Sequence, residues 1–165
     1  MKVLPLISFL LITSAASAQL SFPDRCVGVW SGTMHLYKYG KLTDSVAVQL
    51  TVSRIDEQSW TWRTEYLSQK MPMTKDYVLR LKDAAKNLYV TDEGDGLLLT
   101  DNLTGNKLYS VFETHDVMLT SSYELQGERL VFEVTSGKKE PQVHAEVNTW
   151  STTNVQRVVL KKLKP

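Results

Sequence analysis

The stretch Gly28-Val29-Trp30-Ser31-Gly32 decides how this chain is interpreted. It begins a segment in which apolar and polar side chains alternate with a period of two. Trp30, Met34 and Leu36 fall on one face of that segment, and Ser31, Thr33 and His35 fall on the other. This alternation predicts a β-strand with one buried face. Because later segments repeat the pattern, we expect antiparallel strands that return toward Trp30.

Nine further segments have strand character, at residues 46–53, 60–66, 76–82, 88–92, 97–103, 107–113, 117–125, 129–135 and 153–163. Turns of two to five residues join most of them, and after residue 18 no long run has helical periodicity. Sequential hairpins leave two edges, and pairing the first strand with the last removes both. The sequence therefore predicts an all-β fold, a single antiparallel up-and-down barrel of about ten strands. A β-sandwich is the alternative, although its crossovers call for longer connections.

The first eighteen residues have the pattern of a secretory signal peptide. Lys2 supplies a positive charge, residues 3–12 are mostly apolar, and Ala16-Ser17-Ala18 is a small-x-small cleavage site. An apolar run of this length is about half of the roughly 20 residues that span a bilayer, so we expect no membrane span. We assign residues 1–18 to the signal peptide and residues 19–165 to the barrel. The protein is predicted to be secreted or periplasmic after cleavage near Ala18.

Charge and cysteine content exclude several classes of partner and crosslink. The sequence has 19 lysines and arginines against 18 aspartates and glutamates, and Lys2 is the charged residue of the signal peptide. Without a basic excess in the mature chain, nucleic acid is not a predicted partner. Cys26 is the only cysteine, so no intramolecular disulfide can form. These features leave the oligomeric state open.

The sequence contains no recognisable catalytic motif. It has no G-x-S-x-G elbow, no H-E-x-x-H, no C-x-x-C and no phosphate-binding loop. The acidic turn at residues 92–96 does not match an EF-hand and is typical of a hairpin. We predict neither catalytic residues nor a metal site. An enzyme of unknown reaction stays open as an alternative, because a barrel can assemble a site from distant strands.

Gly28-Val29-Trp30 in the first strand, with Arg157 in the last, resembles the signature of the calycins, the superfamily of lipocalins, fatty-acid-binding proteins and avidins. The resemblance implies a lipocalin-like barrel whose closed base is covered by Trp30, with Arg157 packed on the indole. A guanidinium can stack on an indole face. We therefore predict Gly28, Trp30 and Arg157 as structural elements of barrel closure, with Trp30 and Arg157 in contact.

The tight first turn, the single cysteine and the lack of an evident helix depart from lipocalins and fatty-acid-binding proteins. The chain looks most similar to bacterial lipocalin-like domains of unknown function and to nitrobindin-like ten-strand barrels. The nitrobindin comparison raises haem, held through a histidine, and of His35, His115 and His144 the last is the candidate ligand. A lone histidine in a loop is more often simply exposed, so no cofactor is predicted.

An aromatic set is the remaining functional signal. Alternation places Trp60, Trp62, Tyr66 and Tyr77 on inward faces of adjacent strands, with Met34 nearby. If the lumen is open, these residues are candidates for binding a small hydrophobic ligand. If it is filled, they are core, and the bulk of the aromatic rings favours this reading. The alternative function is then an exported structural or protein-interaction module with an outer patch around residues 37–39.

Overall fold

The alternating segments form strands along most of the chain. The computed structural model describes residues 20–164, and the predicted signal peptide lies outside the described residues. The elements are α1 (Phe22–Cys26), β1 (Gly28–Lys38), β2 (Lys41–Arg54), β3 (Ser59–Tyr66), β4 (Met73–Asp83), β5 (Leu88–Asp92), β6 (Leu98–Thr104), β7 (Lys107–Thr114), β8 (Val117–Gln126), β9 (Arg129–Lys138), β10 (Gln142–His144), β11 (Val147–Thr149) and β12 (Asn154–Lys162).

Ten of these strands close into one antiparallel barrel. Their order is β1-β12-β9-β8-β7-β6-β5-β4-β3-β2, and β2 pairs with β1 to complete the ring. The first strand also pairs with the last, with Met34 opposite Val158. This arrangement confirms the predicted up-and-down barrel and removes the sandwich alternative. The segment around Val143, which has no clear sequence pattern, forms the separate hairpin β10–β11 between β9 and β12.

Alternating strand directions give the barrel two distinct ends. The turns after β2, β4, β6 and β8 lie at the end that also carries α1, which we call the base. The turns after β1, β3, β5 and β7, together with the β10–β11 hairpin, lie at the opposite end, which we call the mouth. A residue late in β3, such as Tyr66, is therefore near the mouth, and Trp60 is near the base.

The short helix α1 plugs the base. No helix is predicted here from the sequence, yet Phe22 (2% exposed) and Cys26 (0%) of α1 are buried among the base residues. Ser21 caps the helix by accepting a hydrogen bond from the Asp24 backbone N–H at 3.3 Å. Two indole N–H groups fasten α1 to the barrel, one from Trp30 to the Cys26 carbonyl oxygen at 2.7 Å and one from Trp60 to the Asp24 carboxylate at 2.9 Å.

The predicted contact between Trp30 and Arg157 is wrong. Arg157 lies opposite His35, five residues along β1 from Trp30, and its exposed guanidinium pairs with Glu133 at 3.1 Å on the outer surface. Trp30 is instead opposite Lys162, whose Nζ is 5.3 Å from the centroid of the indole. The physical reason is alternation: the neighbours of Arg157 on β12 point inward, so Arg157 points out.

Gly28, the other predicted closure residue, does lie at the base. Its φ of +132° is a conformation that side chains with a Cβ rarely adopt. A Cβ at this position would also come within 2.6 Å of Cε of Lys162. Because the end of the Lys162 side chain can move aside, the positive φ is what favours glycine at this position.

Candidate functional site

The predicted inward-facing residues do face the interior of the barrel. Met34, Trp60 and Trp62 are buried in the core, and Trp62 lies opposite Tyr77 on the neighbouring strand. Tyr66 and Tyr77 pack against the same core but keep part of their surface exposed. Exposure of these side chains increases toward the mouth, since the buried ones lie in the lower and middle parts of the barrel. Their role in binding a ligand stays a prediction.

An aromatic layer fills the middle of the lumen. Strands β3 and β8 lie five strands apart in either direction around the ring, yet Trp62 and Tyr123 meet edge to face with ring centroids 5.2 Å apart. Below them Phe22 of α1 stacks toward Trp62 at 6.5 Å, and Phe132 stacks on Tyr123 at 4.2 Å. We call these four residues the aromatic layer. From this layer to the base the barrel is packed, as the filled interpretation predicts.

Between the aromatic layer and the mouth the lumen has accessible surface. Leu36, Phe112, Leu119 and Val134 continue the inward-facing rows of their strands, yet all four are only partly buried. Phe112 and Leu119 are not packed against the core cluster. We call this space the upper lumen, and its partly exposed apolar wall is the kind of surface that ligand pockets present.

Two carboxylates stand on the β5–β6 side of the upper lumen. Asp101 is only 5% exposed and accepts a hydrogen bond from the Thr91 hydroxyl at 2.7 Å. Burial raises the pKa of Asp101 to about 6, and the nearby Glu93 carboxylate acts in the same direction. Glu93 is partly buried just beyond the end of β5. Among the residues that the structure describes, neither carboxylate takes part in a salt bridge within 4.0 Å.

Tyrosine hydroxyls gather next to these carboxylates. Burial raises the pKa of both Tyr66 and Tyr77, and the charge of Glu93 raises them further. Burial also raises the pKa of Tyr123, whose hydroxyl is close enough to feel Tyr66 and Tyr77. The mutual influence of these groups means that the three hydroxyls and Glu93 occupy one region of the upper lumen.

The indole N–H of Trp62 has no satisfied hydrogen bond. Trp62 is 2% exposed, and no acceptor in residues 20–164 meets its Nε1 with hydrogen-bonding geometry, although the polar groups of Thr64 and Tyr123 are nearby. The other two buried indoles, Trp30 and Trp60, both donate to partners at the base. The Trp62 indole acts to lower the pKa of Tyr123, so the Tyr123 hydroxyl lies close to this N–H and is a partner for it within the protein.

The histidines lie away from this site. His35, His115 and His144 are all exposed, and His144 is on the β10–β11 hairpin, where every residue of both strands is exposed. His144 thus has no enclosing apolar surroundings for a haem, and the expectation of no cofactor stays a prediction. Within the described residues, no three His, Cys, Asp or Glu side chains are grouped so that they could hold a metal ion.

A cavity of about 1330 Å³ forms an open groove at the base rather than in the lumen. It runs between α1 and the end of β12, and its lining includes Arg25, Lys162 and Glu128. Exposed charged side chains such as Glu128 line it together with apolar ones such as Leu20, and the groove is open to solvent. It therefore lacks the enclosed apolar character of a small-molecule pocket.

Sequence reasoning missed Tyr123, Glu93 and Asp101. Tyr123 belongs to the predicted strand 117–125, but its approach to Trp62 depends on which strands face each other across the closed barrel. Asp101 had a readable signal, because it continues the alternating row of Leu99 and Leu103 and so falls on an inward face. Glu93 lies in a segment that sequence assigns to a turn.

Comparison with known proteins supports the fold. No family model matches the sequence, and no curated protein is significantly similar to it. A protein of unknown function from the DUF3598 family of Nostoc punctiforme PCC 73102 has a TM-score of 0.61 and 11% identity over 87% of this chain. This chain spans about half of that protein, 49% of its length.

Rv2717c from M. tuberculosis has a TM-score of 0.54 and 13% identity, covering 88% of this chain and 100% of that protein. The fluorescent protein UnaG is less similar, with a TM-score of 0.48 and 15% identity over 82% of this chain and 96% of that protein. Such low identities concern the fold alone. Together with the closed ten-stranded ring, the first two structures confirm the calycin-like architecture that the sequence predicts. No helix among residues 20–164 is long and apolar enough to cross a membrane.

Proposed function

We propose that this calycin-like barrel is an exported protein that binds a small hydrophobic ligand in the upper lumen. The observation that carries the proposal is the accessible apolar wall above the aromatic layer, formed by Leu36, Phe112, Leu119 and Val134. Apolar surface that remains in contact with water is a source of binding free energy, about 25 cal/mol for each Å² that a ligand covers. The ordered strands of the barrel hold this wall in place in advance of binding.

The aromatic layer sets the depth to which a ligand enters. Because Trp62 and Tyr123 meet across the lumen, a ligand would rest on their upper surface and reach toward the mouth. This space suits a compact molecule better than one that threads the whole barrel.

A variant that fills the upper lumen tests the site. Leu119→Trp places a larger side chain among the inward-facing residues, and we expect it to weaken binding of hydrophobic probes by about tenfold or more. Val111→Trp is the matched control, because Val111 is 68% exposed on the outer surface of β7. Titration of tryptophan fluorescence with a panel of fatty alcohols and aromatic compounds would measure both. Equal binding by the two variants, or no binding by the unmodified protein, would contradict the proposal.

Export is the second part of the proposal and rests on the residues 1–18 pattern. We expect protein recovered from the secreted or periplasmic fraction to begin at Gln19. Intact-mass measurement of that protein gives the answer directly. A mass that still includes residues 1–18, or recovery from the cytoplasm alone, would overturn this part without affecting ligand binding.

The alternative function, a protein-interaction module, is favoured by one observation. Several large apolar side chains are strongly exposed near the mouth, among them Tyr39, Met71, Leu98 and Val143. The predicted patch around residues 37–39 is only in part exposed, because Tyr37 is partly buried. Cross-linking of the protein in its own compartment tests this function. Recovery of the protein solely as an uncrosslinked monomer would count against it.

A further inference from the structure

The open groove at the base carries positive charge that the protein leaves unpaired. We call it the base groove, and its lining contains two acidic residues against five basic ones, Arg25, Arg129, Lys161, Lys162 and Lys164. None of the five basic side chains forms a salt bridge within 4.0 Å with an acidic side chain of residues 20–164. The base groove therefore has a net positive lining.

The two acidic residues of the lining do not neutralise these cations. Asp24 is already engaged elsewhere, because it accepts hydrogen bonds from the Ser21 hydroxyl at 2.6 Å and the Trp60 indole at 2.9 Å and pairs with Arg54 at 3.6 Å. Glu128 is exposed on the β8–β9 turn and forms no ion pair with a described residue. An acidic partner can thus reach the basic side chains without displacing an internal ion pair.

The register of β9 and β12 places two of the cations side by side. Lys161 lies directly opposite Arg129, and both side chains are exposed. Like charges directly opposite each other on adjacent strands are destabilising. Farther from the base, the same two strands have the reverse arrangement, because Arg157 lies opposite Glu133 and pairs with it at 3.1 Å. A carboxylate bound between Arg129 and Lys161 would remove the repulsion at the base groove.

Arg25 adds a hydrogen-bond donor to the same wall. It lies in the last turn of α1, and its Nε is buried without a hydrogen-bond partner among the residues that the structure describes. Burial raises the pKa of the Cys26 thiol to about 12, and the charges of Arg25 and Lys162 both oppose that rise, so these two cations lie close together beside α1. A guanidinium presents its N–H groups in a fixed fork that matches a carboxylate.

Apolar side chains share the base groove with these cations. Leu20, just before α1, is 63% exposed, and Leu163, just after β12, is 47% exposed. Both would lose contact with water if a partner with apolar side chains entered the groove, at about 25 cal/mol for each Å² covered. The concave shape favours a chain that enters the groove over the flat surface of a membrane.

We propose that the base groove docks an extended acidic segment of another protein, whose carboxylates bind Arg25 and the Arg129–Lys161 pair and whose apolar side chains pack on Leu20 and Leu163. Charge complementarity selects an acidic segment, and recognition of acidic motifs by clusters of basic side chains is a recurrent mode of peptide binding. The apolar lining distinguishes this occupant from a purely charged polymer. The site lies at the opposite end of the barrel from the upper lumen, so the inference is independent of the proposed ligand-binding function.

Three acetylated nonapeptides test the proposal: three repeats of Asp-Leu-Glu, three repeats of Asn-Leu-Gln and three repeats of Asp-Gly-Glu. The second peptide lacks the charge of the first, and the third lacks its apolar side chains. Isothermal titration calorimetry at low ionic strength gives the Kd of each peptide for the protein. We expect the Asp-Leu-Glu peptide to bind about tenfold more tightly than either of the others, and added salt to reduce that preference.

The double variant Arg129→Gln/Lys161→Gln should lose the tenfold preference. The matched control is Lys38→Gln/Lys41→Gln, because these lysines also lie directly opposite each other, at the tip of the β1–β2 hairpin at the mouth. It should bind the Asp-Leu-Glu peptide as the unmodified protein does. Glu128→Gln removes a negative charge from the lining and should tighten binding by about twofold or more. Urea unfolding verifies that the variants fold.

Each alternative has a distinct result. If the Asp-Leu-Glu peptide binds no more tightly than the Asn-Leu-Gln peptide, selection by charge is refuted. If the Asp-Gly-Glu peptide binds as tightly, the groove binds anions in general and the assignment to a protein segment is wrong. If the Arg129→Gln/Lys161→Gln variant keeps the full preference, the peptide binds elsewhere. Binding to phosphatidylglycerol vesicles that this variant loses, without binding of the peptide, would overturn the proposal in favour of a membrane surface.

Discussion

Replacing Asp101 with asparagine should change how the stability of this protein depends on pH. Asp101 is 5% exposed, and burial raises its pKa from the ordinary 3.8 to about 6. A carboxyl whose pKa is higher in the folded state stabilises that state while it is protonated. The contribution is complete below the unfolded pKa and is lost as the pH rises through the folded pKa. At neutral pH the ionised Asp101 therefore opposes folding.

The shift from 3.8 to about 6 corresponds to about 3 kcal/mol of unfolding free energy between fully protonated and fully ionised Asp101. Roughly 1.3 kcal/mol of this is recovered between about pH 7 and about pH 5, where the folded state takes up most of a proton and the unfolded state takes up little. Asparagine keeps an oxygen that can accept the hydrogen bond from Thr91, and it removes the titrating group.

Urea unfolding followed by tryptophan fluorescence, at about pH 7 and about pH 5, measures the effect. Acidification should increase the unfolding free energy of the unmodified protein by about 1.3 kcal/mol more than that of Asp101→Asn. Other titrating groups cancel in this difference. Asp116→Asn, in an exposed turn, should behave as the unmodified protein does. In the contrary outcome, the unfolding free energies of the unmodified protein and of Asp101→Asn differ by the same amount at both pH values. That result would refute a buried carboxyl with a strongly raised pKa at this position.

Three further predictions concern the base and the outer wall. Trp30→Phe removes the donor to the Cys26 carbonyl oxygen and should lower the unfolding free energy by about 1–3 kcal/mol, and an unchanged urea midpoint would contradict the role of this bond. The thiol of Cys26 is buried and its pKa is raised to about 12, so iodoacetamide should label it only in denaturant; rapid labelling of folded protein, seen by mass spectrometry, would exclude this burial. Arg157→Ala breaks an exposed pair with Glu133 and should cost less than about 1 kcal/mol, whereas a larger loss in chemical denaturation would restore a closure role for Arg157.

The barrel is readable from the sequence because each of its strands carries its own period-two signal. Alternation alone also assigns Trp60 and Trp62 to the inner face, and both are buried. The helix α1 has no such signal, since five residues make little more than one turn and give no periodicity. Its position depends on tertiary contacts, namely the indole hydrogen bonds that hold it in the base.

Arg157 shows where resemblance misleads and alternation does not. On β12, Val158 and Leu160 alternate with Arg157, and both are buried, so the arginine has to face outward. Lys162 occupies the place beside Trp30 that was expected for Arg157, because β12 continues to that level of the barrel. A motif transferred between barrels of different strand length does not preserve which residue reaches the base.

The candidate site is less predictable than the fold because it joins residues from strands far apart in sequence. Four strands lie between those of Trp62 and Tyr123 in either direction around the ring, and their contact follows only from closure. The charge of the upper lumen follows from Asp101, whose place in an alternating apolar row is visible in the sequence, and from Glu93 at a strand end. These side chains point into one space because the barrel is closed, and no local sequence pattern encodes that closure.

The indole N–H signal of Trp62 in a ¹H–¹⁵N NMR spectrum tests ligand binding in the upper lumen most directly. Trp62→Phe assigns the signal, and the bonded N–H groups of Trp30 and Trp60 at the base serve as internal references. Titration with decanol should move the Trp62 signal in a saturable way and leave the two references in place. A Trp62 signal that stays fixed while the exposed Trp150 responds would contradict a ligand site above the aromatic layer.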